Sequence, residues 1–217
     1  MPTQPSKLLT DPISVAAIVL AAGASTRLGR PKQLLRLDAL SGETLVDHAI
    51  AAARAGGARP IFVVLGAAAE EIQRDAWLRD CTVVRNEGWA EGMASSVRAG
   101  VTAVLEQVVD ASGVLLLVCD QPGLTAEHVR ALLAAHGEKP AGIVASRYAG
   151  RLGVPAVLPR ALFPALLKLQ GDRGARSLFE SSGAVVWEVE FPEGAWDIDS
   201  AEDLQRLPSH SSRKEPG

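Results

Sequence analysis

The chain has 217 residues, 47% of them hydrophobic, enough for a sizeable core and in keeping with a single soluble domain. A formal net charge of −3 excludes a global attraction to nucleic acid, so any polyanion must be held by a local cluster of cations, backbone dipoles or a metal ion. Two cysteines, Cys81 and Cys119, make neither a disulfide framework nor a metal site, and the apolar runs are too short to span a bilayer. Met1 to Pro12 lacks the basic and apolar segments of a signal peptide, so a cytoplasmic location with no membrane and no nucleic-acid partner is expected.

Short β-branched or leucine-rich runs alternate with longer alanine- and leucine-rich segments. The pattern predicts strands at Val15 to Ala21, Pro60 to Leu65, Thr82 to Arg85, Val114 to Cys119 and Gly142 to Ser146. It predicts helices at Thr44 to Ala55, Ala68 to Leu78, Ala94 to Gln107 and Ala126 to His136. After residue 146 the regularity weakens. A Val-Leu run follows Gly150, Gly153 and Pro155, then come a helix near Ala161 to Leu169, a Gly171 to Arg176 loop and a last strand at Ala184 to Phe191. Ser200 to Leu207 reads as a helix capped by Ser200, with Asp203 three residues on. The β-α-β-α order implies an α/β, Rossmann-like three-layer fold with a mostly parallel central sheet, and ligands in such sheets bind beyond the carboxyl ends of the strands. Residues 13–207 are expected to form one domain, with 147–183 as an elaboration of it, and residues 1–12 and 208–217 to be flexible ends.

The stretch from Leu20, Ala21, Ala22 and Gly23 through Ser25, Thr26, Arg27, Gly29 and Lys32 to Leu35 leaves the end of the first strand. Its glycines allow a sharp turn and close backbone approach, its amides can face anionic oxygens, and Arg27 and Lys32 supply charge, a combination suited to a triphosphate. Gly23 and Gly29 do not have the G-x-G-x-x-G spacing of a dinucleotide fold, and Arg30-Pro31-Lys32 replaces the Gly-Lys-Ser/Thr ending of a P-loop. An ordinary strand-to-helix turn with solvated cations is the plainer alternative. The ordered run of small, hydroxyl and cationic residues weighs against it.

Asp120 follows the strand candidate ending at Cys119 and precedes Gln121-Pro122, a place for either a turn cap or a carboxylate that shares a divalent ion with substrate phosphates. Asp199 is the preferred second carboxylate for that ion. In an extended Trp196 to Ser200 segment Asp197 and Asp199 would share one side, although acids decorating a helix N-terminus would read the same. Asn86 to Val97 brings Gly92, Ser95 and Ser96 to a helix start, where hydroxyls and backbone donors favour an anion, and its Trp89 suits either a ring-flanking position or the core. His48, His128, His136 and His210 show no metal spacing and read as surface or boundary residues.

The string LAAG-x-S-x-R-x-G-x-x-K-x-L-L, from Leu20 to Leu35, resembles the signature loop of the molybdenum-cofactor nucleotidyltransferases, and Ala22 makes it more similar to the cytidylyltransferases than to the LAGG guanylyltransferases. The resemblance extends over residues 15 to 207 through the Asn86 to Ser96 segment, Asp120-Gln121-Pro122, Gly171-Asp172-Arg173-Gly174-Ala175-Arg176 and Asp197 to Asp203. It implies a nucleotidyltransferase fold with an acceptor-side β elaboration, and transfer of CMP from CTP to the phosphate of molybdopterin-type molybdenum cofactor with release of pyrophosphate. It implies catalytic roles for Arg27, Lys32 and Asp120, and Mg²⁺ held by Asp120 and Asp199. Nucleotide binding would fall to Leu20, Ala21, Ala22, Gly23, Ser25, Thr26, Arg27, Lys32, Asn86, Gly92, Ser95 and Ser96. Acceptor binding would fall to Gly153, Pro155, Gly171, Asp172, Gly174 and Arg176. A molybdoenzyme or its chaperone is the transient partner implied. Two departures stand out: Gly153-Val154-Pro155 lacks the histidine of a Gly-His-Pro segment, and Asp38 to Thr44 is a longer connection than usual. Transfer of guanylate, another phosphorylated acceptor, or a non-catalytic cofactor-binding chaperone remain as alternatives.

Overall fold

The computed structural model describes residues 14–37, 42–199 and Asp203. Strand β1 (Val15–Ala21) is apolar throughout because it is covered on both faces. Val15, Ala17, Val19 and Ala21 pack into one core layer with α1 (Leu45–Gly56), α2 (Ala69–Asp75) and α4 (Ala126–Glu138). Ala16 and Ile18 pack into the other with α3 (Met93–Gln107), α5 (Phe163–Leu166) and α6 (Ser177–Ser181).

With β2 (Ile61–Leu65), β3 (Cys81–Arg85), β4 (Gly113–Val118), β5 (Ile143–Tyr148), β6 (Arg151–Pro159) and β7 (Val186–Glu190), β1 forms a seven-stranded sheet in the order β3-β2-β1-β4-β6-β5-β7. The β3-β2-β1-β4 half is parallel. Strand β6 runs antiparallel to both β4 and β5, and β7 runs parallel to β5. The carboxyl ends of β1 and β4 therefore emerge side by side, and the loops leaving them share one edge of the sheet. Helix α3 can lie close over β1 because Gly100 faces it: a Cβ there would stand 2.5 Å from Ile18 Cγ2. Helix α1 starts on a Thr44–Asp47 capping box and stops at Gly57, whose φ of 100° is left-handed.

The expected strands and first helices are present with ends shifted by a few residues. Helix α2 stops at Asp75, three residues before Leu78, and the segment expected as a helix at Ala161 to Leu169 is a 3₁₀ turn, Arg160–Leu162, followed by the single turn of α5. The helix expected from Ser200 to Leu207 lies outside the described residues except for Asp203. The Val-Leu run after Gly153 is the long strand β6, which with β5 forms the antiparallel elaboration. Both cysteines are free, and burial pushes the Cys119 thiol up to about 12. Among the described residues no helix is long and apolar enough to cross a membrane.

His128 and His136 are not surface residues, as the pattern had implied: α4 carries both toward the sheet, and both are buried. Ser146 donates its hydroxyl to the Pro155 carbonyl at 2.6 Å and so accepts from His128 Nε2 at 2.7 Å, while the His128 ring stacks on Phe191 at 4.2 Å. Burial, opposed weakly by Glu193, pushes His128 down from 6.5 to about 4. The folded state thus resists protonation that the unfolded chain accepts. The His128 contribution to stability is full above pH 6.5 and is lost as pH falls from there to about 4. We expect His128→Gln to flatten this acid slope in urea unfolding at stepped pH; parallel slopes for the two proteins would show that His128 is not its source.

Candidate functional site

The loop after β1 is held from inside by one side chain, Gln33, which is 1% exposed. Its Nε2 donates to the carbonyls of Ala21 (3.0 Å) and Gly23 (2.8 Å), and its Oε1 accepts from Ser25 Oγ at 3.3 Å. Ser25 Oγ in turn accepts from the Lys32 amide at 3.0 Å. This circuit keeps Ser25 at a φ of 52°, a left-handed conformation that a residue with a side chain adopts only when its surroundings hold it there. Two carbonyls of the loop are drawn inward, and the exposed stretch from Gly23 to Gly29, with Thr26 and Arg27, faces solvent. Gln33 escaped the sequence reading; the signal for it was a lone amide between Lys32 and the apolar pair Leu34-Leu35.

The 3₁₀ turn Lys32–Leu34 then aims Lys32 at the end of β4. Its ammonium lies 2.6 Å from Asp120 Oδ2 and 3.0 Å from Asp199 Oδ1. Burial alone would pull Lys32 down, but Asp120 and then Asp199 outweigh it, and the ammonium is held charged well above its ordinary range. Arg27 Nη2 reaches the other Asp199 oxygen at 3.4 Å from a largely solvated position.

Asp199 arrives from the far end of the described chain because Ile198 anchors it. Ile198 is fully buried against Leu35 and Leu45, a burial worth about 1.5–3 kcal/mol, and its amide donates to the Asp120 carbonyl at 2.9 Å. The Trp196 to Asp199 segment is not a strand, so strand alternation does not set the directions of its acids. Asp197 instead sits in a poorly solvated place near Asp120 and Asp199, and burial followed by those two charges pushes its carboxyl up to about 6. Among the described residues no three His, Cys, Asp or Glu side chains converge as a metal cage. Asp120 and Asp199 nevertheless already share one cation, the Lys32 ammonium, and two hard oxygen donors open to further oxygens are the donor set that Mg²⁺ accepts.

The predicted hydroxyls at the start of α3 are placed differently. Asn86 Nδ2 donates to Ser95 Oγ (2.8 Å) and Ser96 Oγ (3.0 Å), Ser95 Oγ donates to the Gly92 carbonyl (2.8 Å), and all three side chains are buried. The Ala94 amide is spent on the Gly171 carbonyl at 3.0 Å. Gly92, at φ 118°, lets Gly171 and Asp172 close over it, since a Cβ there would stand 2.4 Å from Asp172 Oδ1. The α3 start is a packed junction with the Gly171 to Gly174 loop, because a buried amide and two hydroxyls must find partners in one another. Trp89 and Met93 at this junction are exposed, which excludes a core role for Trp89. Beside it, a cleft of about 210 Å³ is lined by Leu65, Gly66, Glu70, Arg85, Asn86 and Trp89. Ala22 is buried alongside, and a Cβ at Gly66 would stand 2.8 Å from its methyl group.

On the other side of Asp120, Gln121 Nε2 and the Tyr148 hydroxyl both donate to the Val154 carbonyl, at 3.2 and 3.1 Å. Gly153 is required there, for a Cβ would lie 2.1 Å from the Tyr148 oxygen. Gly153 and Pro155 are thus buried in β6, where they shape the wall below Asp120, while Arg176 stands exposed before α6.

Residues 17–185 match the model of the MobA-like NTP transferase domain. The chain is 34% identical over 209 residues, 91% of its length and 98% of the relative, to the nicotine blue oxidoreductase of Paenarthrobacter nicotinovorans. It is 30% identical over 203 residues, 88% of its length and 94% of the relative, to the purine catabolism protein PucB of Bacillus subtilis. The crystal structure of Rv0371c from Mycobacterium tuberculosis superposes with a TM-score of 0.77 at 32% identity, covering 91% of this chain and 98% of that one. The same protein has been crystallised in complex with manganese.

Gln33→Leu removes both donors to the loop carbonyls. It should lower the unfolding free energy by about 1–3 kcal/mol and speed hydrogen exchange at the amides of residues 22–30. Wild-type stability together with unchanged exchange would mean that the loop holds its shape without this side chain.

Proposed function

The chain belongs to the MobA-like NTP transferase family, a family of nucleotidyltransferases, and on that footing we propose that it transfers CMP from CTP to the phosphate of molybdopterin-type molybdenum cofactor. The observation that carries this reading is the Lys32 ammonium shared by Asp120 and Asp199 at the carboxyl edge of the sheet, in front of the Gly23 to Gly29 loop. Such an arrangement suits a substrate that brings several negative charges and a divalent cation with it.

In this reaction a phosphate oxygen of the acceptor attacks the α-phosphorus of CTP, the bond from that phosphorus to the bridging oxygen breaks, and pyrophosphate leaves with the electron pair. The acceptor phosphate is already ionised near neutral pH, so no general base is needed. Asp120 and Asp199 would hold Mg²⁺, which supplies charge neutralisation for the phosphate oxygens when bound. Lys32 and the solvated Arg27 stabilise the charge that moves from the α-phosphate toward the leaving pyrophosphate, and the loop amides orient the tail. Manganese in the Rv0371c complex supports a divalent ion of this kind. Asn86, Ser95 and Ser96 act in this scheme by holding the α3 junction in place, and the cleft beside Ala22 is the space offered to the base.

A second reading is favoured by the name of the 34% identical relative, an oxidoreductase. A hydride carrier would have to bind a loop without the G-x-G-x-x-G spacing, beside two carboxylates that hydride transfer does not require.

Pyrophosphate release with each NTP, Mg²⁺ and molybdenum cofactor tests the transfer. CTP should support release, and Asp120→Asn should reduce it by about 10²–10³-fold while cooperative unfolding is retained; full activity of that variant would remove Asp120 from the chemistry. Tight CTP binding with no release from any acceptor would leave the protein a cofactor-binding chaperone. Thermal unfolding with CTP, GTP and NADPH tests the ligand, because a compound at about 100 times its Kd stabilises the native state by about 2.7 kcal/mol. CTP should shift the transition most; a larger shift with GTP would overturn the base assignment drawn from Ala22, and one with NADPH the transferase reading.

A further inference from the structure

Strands β5 and β6 meet in a tight reversal through Ala149 (φ 47°) and Gly150 (φ 70°) that brings Tyr148 and Arg151 face to face. The Arg151 guanidinium lies 5.7 Å from the centre of the Tyr148 ring. Arg176, from the loop before α6, reaches the same place. Together Arg151 and Arg176 line a cavity of about 270 Å³ whose other walls are Gly150, Leu152, Phe179 and Glu180.

Several arginines around the sheet, among them Arg54, Arg74 and Arg160, carry no ion pair among the described residues, and these two are of that kind. Arg85, Arg98, Arg130 and Arg147 each pair with a glutamate, whereas Arg151 and Arg176 form no salt bridge among the described residues. Two guanidinium groups facing one small cavity repel one another, and Glu180 offsets only one of the two charges. The cavity is also tied to the acid cluster. Tyr148, fixed by its hydrogen bond to Val154, is within electrostatic reach of both: burial first and then Asp197 push its phenol up, while Arg151 and Arg176 oppose the shift. Arg151 is felt at Asp197 as well, as a charge opposing the shift of its carboxyl.

We propose that Arg151 and Arg176 form a clasp for an oxyanionic group, a phosphate or one of like geometry, carried by the acceptor. Two planar guanidinium groups offer paired N–H donors that match such a group in a bidentate manner, and Leu152 and Phe179 give the cavity an apolar floor. Glu180 sets the strength of the clasp by opposing the anion. That the occupant is the acceptor rests on the transferase reading above; that the clasp takes an oxyanion does not.

Two measurements separate these claims. The first is a titration of the full chain with inorganic phosphate, followed through the Nε resonances of the arginines by NMR. Arg151 and Arg176 should shift together, Arg151→Gln should weaken binding about tenfold or more, and Glu180→Gln should tighten it. No shift at either arginine, or the same weakening from Glu180→Gln as from Arg151→Gln, would overturn the clasp. The second is steady-state kinetics of pyrophosphate release. Arg151→Gln and Arg176→Gln should raise the KM for the acceptor about tenfold with the KM for CTP unchanged, and Arg151→Lys should recover part of the loss. An equal rise in both KM values would overturn an acceptor role, while failure of the wild-type chain to turn over CTP would sink the transferase reading and leave the phosphate titration standing. A dephosphorylated acceptor used as inhibitor tells the two sources of the oxyanion apart: inhibition that still depends on Arg151 places a group remote from the reacting phosphate in the clasp, and inhibition indifferent to Arg151 places the reacting phosphate there.

Discussion

The ammonium of Lys32 is the meeting point of three stretches of chain, and it is there because β1 and β4 run parallel and side by side. The loop leaving β1 and the carboxylate ending β4 emerge at one edge of the sheet, and Ile198, buried under Leu35 and Leu45, brings Asp199 to the same point. Asp120 and Asp199, both within 3.0 Å of one ammonium, need their mutual repulsion offset by a shared cation or a proton. That requirement is met by a lysine from the most exposed loop of the site, so the rigid sheet and the surface loop are joined through charge. A protein with a net charge of −3 thereby concentrates strong fields of both signs within one edge.

Around this point the loops are held by side-chain amides. Gln33 occupies the carbonyls of Ala21 and Gly23 and the hydroxyl of Ser25, and Asn86 occupies the hydroxyls of Ser95 and Ser96. Each is buried, and each replaces the water that a loop backbone would otherwise need. Irregular segments held this way keep one conformation without belonging to a helix or strand. The Gly171 to Gly174 loop is drawn into the same scheme, since its carbonyl takes the α3 amide and Gly92 leaves room for it.

The two halves of the sheet differ in kind. The parallel β3-β2-β1-β4 half, covered on both faces, presents its strand ends as a common edge. The β6-β5-β7 half turns part of the sheet around, so that the β5–β6 hairpin sets Arg151 over Tyr148, at a cavity that Arg151 shares with Arg176 from the loop before α6. Relatives with names as different as an oxidoreductase and a purine catabolism protein align with 91% and 88% of this chain, as expected where a fold supplies positions and individual side chains supply chemistry.

The order of elements, the parallel half of the sheet and the family were legible from the chain alone, because continuous apolar strands alternating with helices admit few arrangements and because the Leu20 to Leu35 string is specific. Lys32, Asp120 and Asp199 were legible as residue types at strand and loop ends. Their sharing of one charge was not, since it depends on β1 and β4 being neighbours and on Ile198 finding its pocket. Gln33 was missed because a single amide carries no periodicity, and Ser95 and Ser96 were read as open donors because nothing in the order of residues shows that Asn86 will consume them. The burial of His128 and His136 and the meeting of Arg151 and Arg176 at one cavity belong to tertiary structure alone. Local sequence encodes which backbone each segment can adopt, whereas contacts between residues distant in the chain are decided only when the sheet closes and every buried polar group must find its partner.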